Sequence, residues 1–111
     1  MEVRTHTRDQ ITVVELVGDI DCKTAPDAQA KILTQAEKPG RKLILDMGGV
    51  TFMSSAGLRL LLVMYRNIVG KGGKVVVANI PSDIAGTMEA TGFLDLLTHR
   101  ESVDAGIAAL A

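Results

Sequence analysis

The sequence predicts a single α/β domain spanning residues 1–111, a mixed and mostly parallel sheet of about five strands packed with about four helices. Three observations lead to that class. Short apolar runs at Ile11–Val17, Leu43–Leu45 and Val75–Val77, the first rich in β-branched residues, have the length and residue types of buried strands. Between them lie segments whose apolar residues recur at helical spacing, clearest from Leu58 to Val69. An apolar fraction of 47% over 111 residues is enough to close a core, and a chain of this size buries roughly 65% of its unfolded surface.

Taken in order, Val3, Thr5 and Thr7 alternate with polar residues as an edge strand, ahead of a turn at Asp9-Gln10. Ile11 to Val17 is expected as a central strand, closed by Gly18-Asp19-Ile20-Asp21. Thr24 is placed to cap a helix, with Pro26 just inside its start and Asp27 in its first turn. That helix turns Ala28, Ile32, Leu33 and Ala36 inward and stops at Pro39-Gly40. Leu43-Ile44-Leu45, closed by Asp46, is the next strand. Gly48-Gly49 is expected to release the backbone into a turn, with Val50, Phe52 and Met53 anchoring the loop.

The helix that follows Ser54-Ser55 carries Leu58, Leu61, Leu62, Tyr65, Ile68 and Val69 near one face, and Gly70, Gly72 and Gly73 end it. Val75-Val76-Val77 is a further strand, and Ala78 to Ser82 is a loop containing Pro81. A helix from Asp83 to Ala90 ends at Gly92. Leu96 to His99 is expected as the last strand, and Ser102 caps a closing helix through Leu110. Right-handed crossovers join the parallel strands. No repeat, linker or low-complexity segment divides the chain.

Composition excludes several classes of function. A net charge of −1 with scattered basic residues gives no electrostatic footprint for nucleic acid. Phe52, Tyr65 and Phe93 are the only aromatic residues, too few for a base-stacking platform. No apolar run reaches the ~18 residues of a membrane span. Met1-Glu2-Val3-Arg4 alternates as a strand, so no signal peptide is expected. Cys22 is the lone cysteine, which fits a reducing cytoplasm and gives no redox pair.

The strand, loop and helix from Leu43 to Val69 place the hydroxyls of Ser54 and Ser55 at a helix N-terminus, beyond the carboxyl end of a strand. Sites in α/β sheets are usually built there. A phosphoserine would bring about −1.5 to −2 charges to unpaired N–H groups and a favourable dipole. Gly57 would keep bulk away from the first turn. The same serines also suit a plain N-cap, and the residues alone leave both readings open.

Other chemistries fail specific tests. Met53-Ser54-Ser55-Ala56-Gly57 is half of a nucleophile elbow, but its first glycine is Met53 and only His6 and His99 could act as base. Gly70-Lys71-Gly72-Gly73-Lys74 follows a helix and precedes a strand, the reverse of a phosphate-binding loop. Asp19 and Asp21 lack a further ligand cluster for a metal. Met64 and Met88 read as core filler, whereas Met53 at the loop tip is divided between core and binding surface.

The segment Asp46-Met47-Gly48-Gly49-Val50-Thr51-Phe52-Met53-Ser54-Ser55-Ala56-Gly57-Leu58 resembles the phosphorylation segment of STAS domains, of the form D-L-S-x-V-x-F-M-D-S-S-G-L. Gly18-Asp19-Ile20-Asp21 with Thr24-Ala25-Pro26 is similar to the second signature of that family, and Thr91-Gly92-Phe93 with Leu96-Leu97 follows its tail pattern. STAS domains form bacterial anti-sigma factor antagonists and the cytoplasmic tails of sulphate transporters. The resemblance implies a STAS-like fold over nearly the whole chain. It places Ser55 on the serine phosphorylated by a partner kinase and Asp21 on a carboxylate beside it. Ser54 stands where the best-known antagonists have aspartate, and Ala56 replaces a serine or threonine, so Ser54 is the alternative site of modification.

On that resemblance the expected function is a non-catalytic, cytoplasmic binding module. Unphosphorylated, it would bind an anti-sigma factor that is also a serine kinase, and so release a sigma factor. Phosphorylation of Ser55 would end the complex and a serine phosphatase would restore it. Asp21, Ser54, Ser55, Gly57 and Leu58 would form the contact surface, with Asp19, Thr24 and Met53 at its margin. ATP belongs to the partner, so no cofactor, metal, nucleic acid or membrane insertion is expected of this chain. Two alternatives are an interaction module in a lipid-transport or sensory assembly, and a small hydrolase using Ser55.

Overall fold

A hairpin opens the fold. In the computed structural model, which describes residues 1–35 and 40–111, β1 (Glu2–Arg8) pairs antiparallel with β2 (Ile11–Ile20). The turn between them is Asp9-Gln10, with φ of 51° and 67°, the left-handed pair that matches the twist of a two-residue hairpin. From β2 onward strands and helices alternate: α1 (Ala25–Gln35), β3 (Lys42–Met53), α2 (Ser55–Gly70), β4 (Lys74–Ala78), α3 (Ser82–Ala90), a short 3-10 turn at Leu94–Leu96, β5 (His99–Arg100) and α4 (Val103–Leu110). The sheet order is β1-β2-β3-β4-β5, and every pairing after the first is parallel. The expected α/β fold with five strands and four helices is therefore the observed one.

The core lies on both faces of the sheet because its central strands carry apolar residues on both. Val14, Leu16, Leu43, Leu45, Val75 and Val77 pack on one face with Ile32 of α1, Leu61 and Ile68 of α2 and Met88 of α3. Ile11, Val13, Ile44, Val76 and Ala78 face the other way and are covered by Ile107 and Leu110 of α4. Three helices thus share one face and a single short helix serves the other. Met64 and Met88 are buried, as their spacing predicts.

Several local expectations need correction. Gly48-Gly49 does not turn the chain, because β3 runs through both residues. Its pairing with β2 shifts register between Glu15 and Val17 and again between Gly18 and Asp19, each time adding a residue to β3. A Cβ on Gly49 would lie 2.9 Å from Val17 Cγ2 and 3.0 Å from the Leu16 carbonyl oxygen, so glycine is needed for close approach of strands rather than for a turn. The last strand is His99–Arg100, while Leu94–Leu96 forms the 3-10 turn. Tyr65 decides this in part: its hydroxyl accepts from Thr98 N–H at 3.1 Å and lies 3.1 Å from the Thr98 hydroxyl, while Leu97 is drawn into the three-helix side of the core.

Val69 is 46% exposed, because the buried stripe of α2 runs through Leu61, Met64 and Ile68 and leaves Val69 off that face. Ala36 and Pro39, expected to face inward and to stop α1, lie outside the described residues.

Candidate functional site

The site forms where β2 and β3 end side by side. Asp19 registers with Phe52 and Ile20 with Met53, so the loop Asp21–Thr24 and the start of α2 emerge next to each other. The Ser54 N–H donates to the Ile20 carbonyl at 2.9 Å and ties the two exits together. Ser54 has extended backbone (φ −78°, ψ 169°), and its Oγ accepts from Gly57 N–H at 3.1 Å. It is the N-cap of α2, so its side chain is committed to the helix.

Ser55 is the first residue of that helix and is exposed. Among the described residues no hydrogen bond engages its hydroxyl. The first turn of α2 carries no acidic residue, so the positive end of the helix dipole is not already neutralised there.

The neighbouring loop is held by its own side chains. Asp21 Oδ1 accepts from Lys23 N–H at 2.8 Å and Thr24 N–H at 3.0 Å. These bonds, that from Thr24 first, hold the Asp21 carboxyl below the usual carboxylate range, so it stands ionised beside α2. The Thr24 hydroxyl donates to the Asp19 carbonyl at 2.8 Å and accepts from Asp21 N–H at 3.0 Å. Thr24 therefore fastens the loop to the end of β2, and the expected capping of α1 by its side chain gives way to an Asx turn made by Asp21. Asp19 is exposed and receives the Thr51 hydroxyl on Oδ1 at 2.6 Å.

The fold brings together Asp19, Asp21, Thr24, Met53, Ser54 and Ser55. Gly57 and Leu58, expected on the contact surface, are buried behind it. A Cβ on Gly57 would lie 2.7 Å from the Ile20 carbonyl oxygen, so this glycine lets the first turn of α2 rest on the end of β2.

Two further residues join the site that the linear pattern did not select. Thr51 reaches Asp19 across a separation of 32 residues. Phe52, expected as an anchor, is 52% exposed. The second register shift explains it: Val50 and Met53 both pack toward the three-helix side, so the added residue turns Phe52 outward. Strict alternation cannot signal such a bulge.

The site does not assemble a hydrolase. His6 lies on β1 and His99 on β5, at the two opposite edges of the sheet, while Ser55 follows the central strand β3. Among the described residues no group of three or more His, Cys, Asp or Glu could hold a metal ion. No described helix is long and apolar enough to cross a membrane.

A family model described as the STAS domain matches residues 2–106. The chain belongs to the STAS domain family. A relative, BtrV of Bordetella bronchiseptica, provisionally named an anti-sigma factor antagonist, is 28% identical over 109 residues, covering 98% of this chain and 94% of its own. The crystal structure of an anti-sigma factor antagonist from Mycobacterium paratuberculosis superposes with a TM-score of 0.83 at 24% identity, over 97% of this chain and 92% of that one. The structure of the anti-sigma factor antagonist SpoIIAA in its unphosphorylated form gives 0.68 at 16% identity, over 97% and 96%. At these identities the solved structures establish the shared STAS fold.

Proposed function

We propose that this STAS domain is a cytoplasmic anti-sigma factor antagonist controlled by phosphorylation of Ser55. The unphosphorylated domain binds an anti-sigma factor that is also a serine kinase, and a sigma factor is set free. The kinase, using its own ATP, transfers phosphate to Ser55 and the complex ends; a phosphatase reverses the change. This chain supplies a surface and one hydroxyl, and no catalysis.

The observation that carries the reading is the division of labour between adjacent serines. Ser54 is spent on the N-cap, whereas Ser55 presents an exposed hydroxyl at the N-terminal end of a 16-residue helix. Full-length similarity to a protein provisionally named as an antagonist supports the partner class. The absence of the aspartate at position 54 does not remove the site, because Ser54 still supplies the cap acceptor that places Ser55.

Asp19 and Asp21 give the switch its sign. Both residues lie where the end of β2 meets the chain entering α2, so a phosphate there adds like charge to a docked surface. Incubation with the cognate kinase and ATP, followed by mass mapping, is expected to place the phosphate on Ser55. Ser55→Ala should hold the kinase persistently and Ser55→Asp should bind poorly. Phosphate on Ser54 alone, or equal binding by the two variants, would overturn the assignment.

A further inference from the structure

The far side of the sheet carries a second surface, unconnected with Ser55. β5 is only two residues long and pairs with β4 at Val77 and Ala78, so among the described residues no strand pairs with Lys74–Val76 on that side. Val77 N–H donates to the Thr98 carbonyl and Asn79 N–H to the Arg100 carbonyl, whereas Lys74 N–H donates toward β3, to the Arg41 carbonyl. Backbone groups alternate sides along a strand, so the N–H and C=O of Val75 point to the open edge. The register with β5 begins at Val77, so among the described residues no strand pairs with Val75 on that side.

The edge is the floor of a groove of ≈ 290 Å³. Tyr65 and Val69 of α2 form one wall and Ala109 and Leu110 of α4 the other. The charged residues lining it are Lys74 and Arg100, with no carboxylate among them. Both lie on the α4 side of the sheet. Lys74 shares the parity of Val76, and Arg100 registers with Ala78, two residues that pack under α4. Neither forms an ion pair among the described residues.

We infer that this groove accepts an extended peptide segment of a partner, added beside β4 as a further strand, with apolar and acidic residues in alternation. Main-chain bonds to Val75 supply the pairing. Apolar side chains on one side of the added strand lie against Tyr65 and Val69, and carboxylates on the other side meet Lys74 and Arg100. The period of two in a strand converts this two-sided groove into a sequence preference. Free carboxylates, or a helix with the same composition, cannot satisfy both walls and the edge together.

The probe is an acetylated and amidated peptide, Ile-Glu-Val-Glu-Val, titrated into the whole domain and followed by amide NMR and hydrogen exchange. Saturable binding that slows exchange of the Val75 amide supports the inference, as does about tenfold weaker binding to the Lys74→Glu variant. Val69→Glu, at an exposed position, is expected to abolish binding with the fold intact by circular dichroism. Equal binding of a peptide with lysine in place of glutamate, or of one N-methylated along its backbone, would overturn it. So would a Val75 amide already protected in a concentration-dependent dimer, since a second copy would then own the edge.

Discussion

Ser54 and Ser55 carry the same hydroxyl, yet the start of α2 falls between them and separates their roles. Removing the cap acceptor should cost stability and removing the exposed hydroxyl should not. Ser54→Ala is expected to lower unfolding free energy by about 1 kcal/mol, and Ser55→Ala to change it by less than about 0.5 kcal/mol. Urea denaturation of the two variants measures the difference, and an equal loss in both would mean that Ser55 also holds the helix end. Asp21 makes the complementary residue-scale prediction with pH. Its carboxyl is lowered by the Thr24 and Lys23 amides, so its folded state favours ionisation. A depressed carboxylate stabilises the fold above the ordinary range near pH ~4, and the contribution fades as pH falls through the lowered folded value. The amide resonances of Lys23 and Thr24 should move together with that acid titration. In Asp21→Asn the same movement should be missing.

At the scale of elements, the junction of β2, β3 and α2 is set by residues that lack side chains. Gly49 admits β2 alongside the bulged part of β3, and Gly57 seats α2 on Ile20. Glycine in a helix normally costs stability relative to alanine, by about 0.8–1.0 kcal/mol. Whether alanine recovers that depends on the space around the position. Gly86, inside α3, has nothing within 4 Å of an added Cβ, so Gly86→Ala is expected to stabilise by about 0.5–1 kcal/mol. Gly57→Ala instead meets the Ile20 carbonyl oxygen at 2.7 Å and is expected to destabilise by about 1–3 kcal/mol, as overpacking does. Thermal or chemical denaturation of the pair reads opposite signs. A stabilising Gly57→Ala would show that α2 can move off β2 at little cost.

For the whole molecule, the proposed switch acts at the interface and leaves the fold in place. A phosphate at the N-terminus of α2 should stabilise that end by about 0.3–1 kcal/mol, so it has no reason to melt the helix. A hundredfold release of a partner takes about 2.7 kcal/mol. New like charge beside Asp19 and Asp21 in a docked, desolvated surface can supply several kcal/mol, and its sign is that of release. Hydrogen exchange on the free domain, with and without phosphate on Ser55, is expected to show equal or slightly greater protection through α2. Broad loss of protection there would mean that the switch works by local unfolding.

The sequence by itself determined the α/β class, the element order and the neighbourhood of Ser55. Those features rest on period and punctuation: β-branched runs, the helical spacing from Leu58 onward, and serines, prolines and glycines at element ends. They are local, so they can be read along the chain. The tertiary structure decided what depends on two segments meeting. It assigned the cap to Ser54 by bringing the end of β2 under the first turn of α2, and it gave Asp21 its Asx turn while Thr24 turned back to Asp19. It made Gly49 a contact point between strands instead of a turn, and set Gly57 against the end of β2. It turned Phe52 outward by inserting a residue into β3, a choice invisible to alternation because the register of β3 is set by β2. It left the edge of β4 open because Tyr65 holds Thr98 and β5 reaches only Val77 and Ala78. Close approach and register arise between chain segments remote in sequence, and no single segment encodes them.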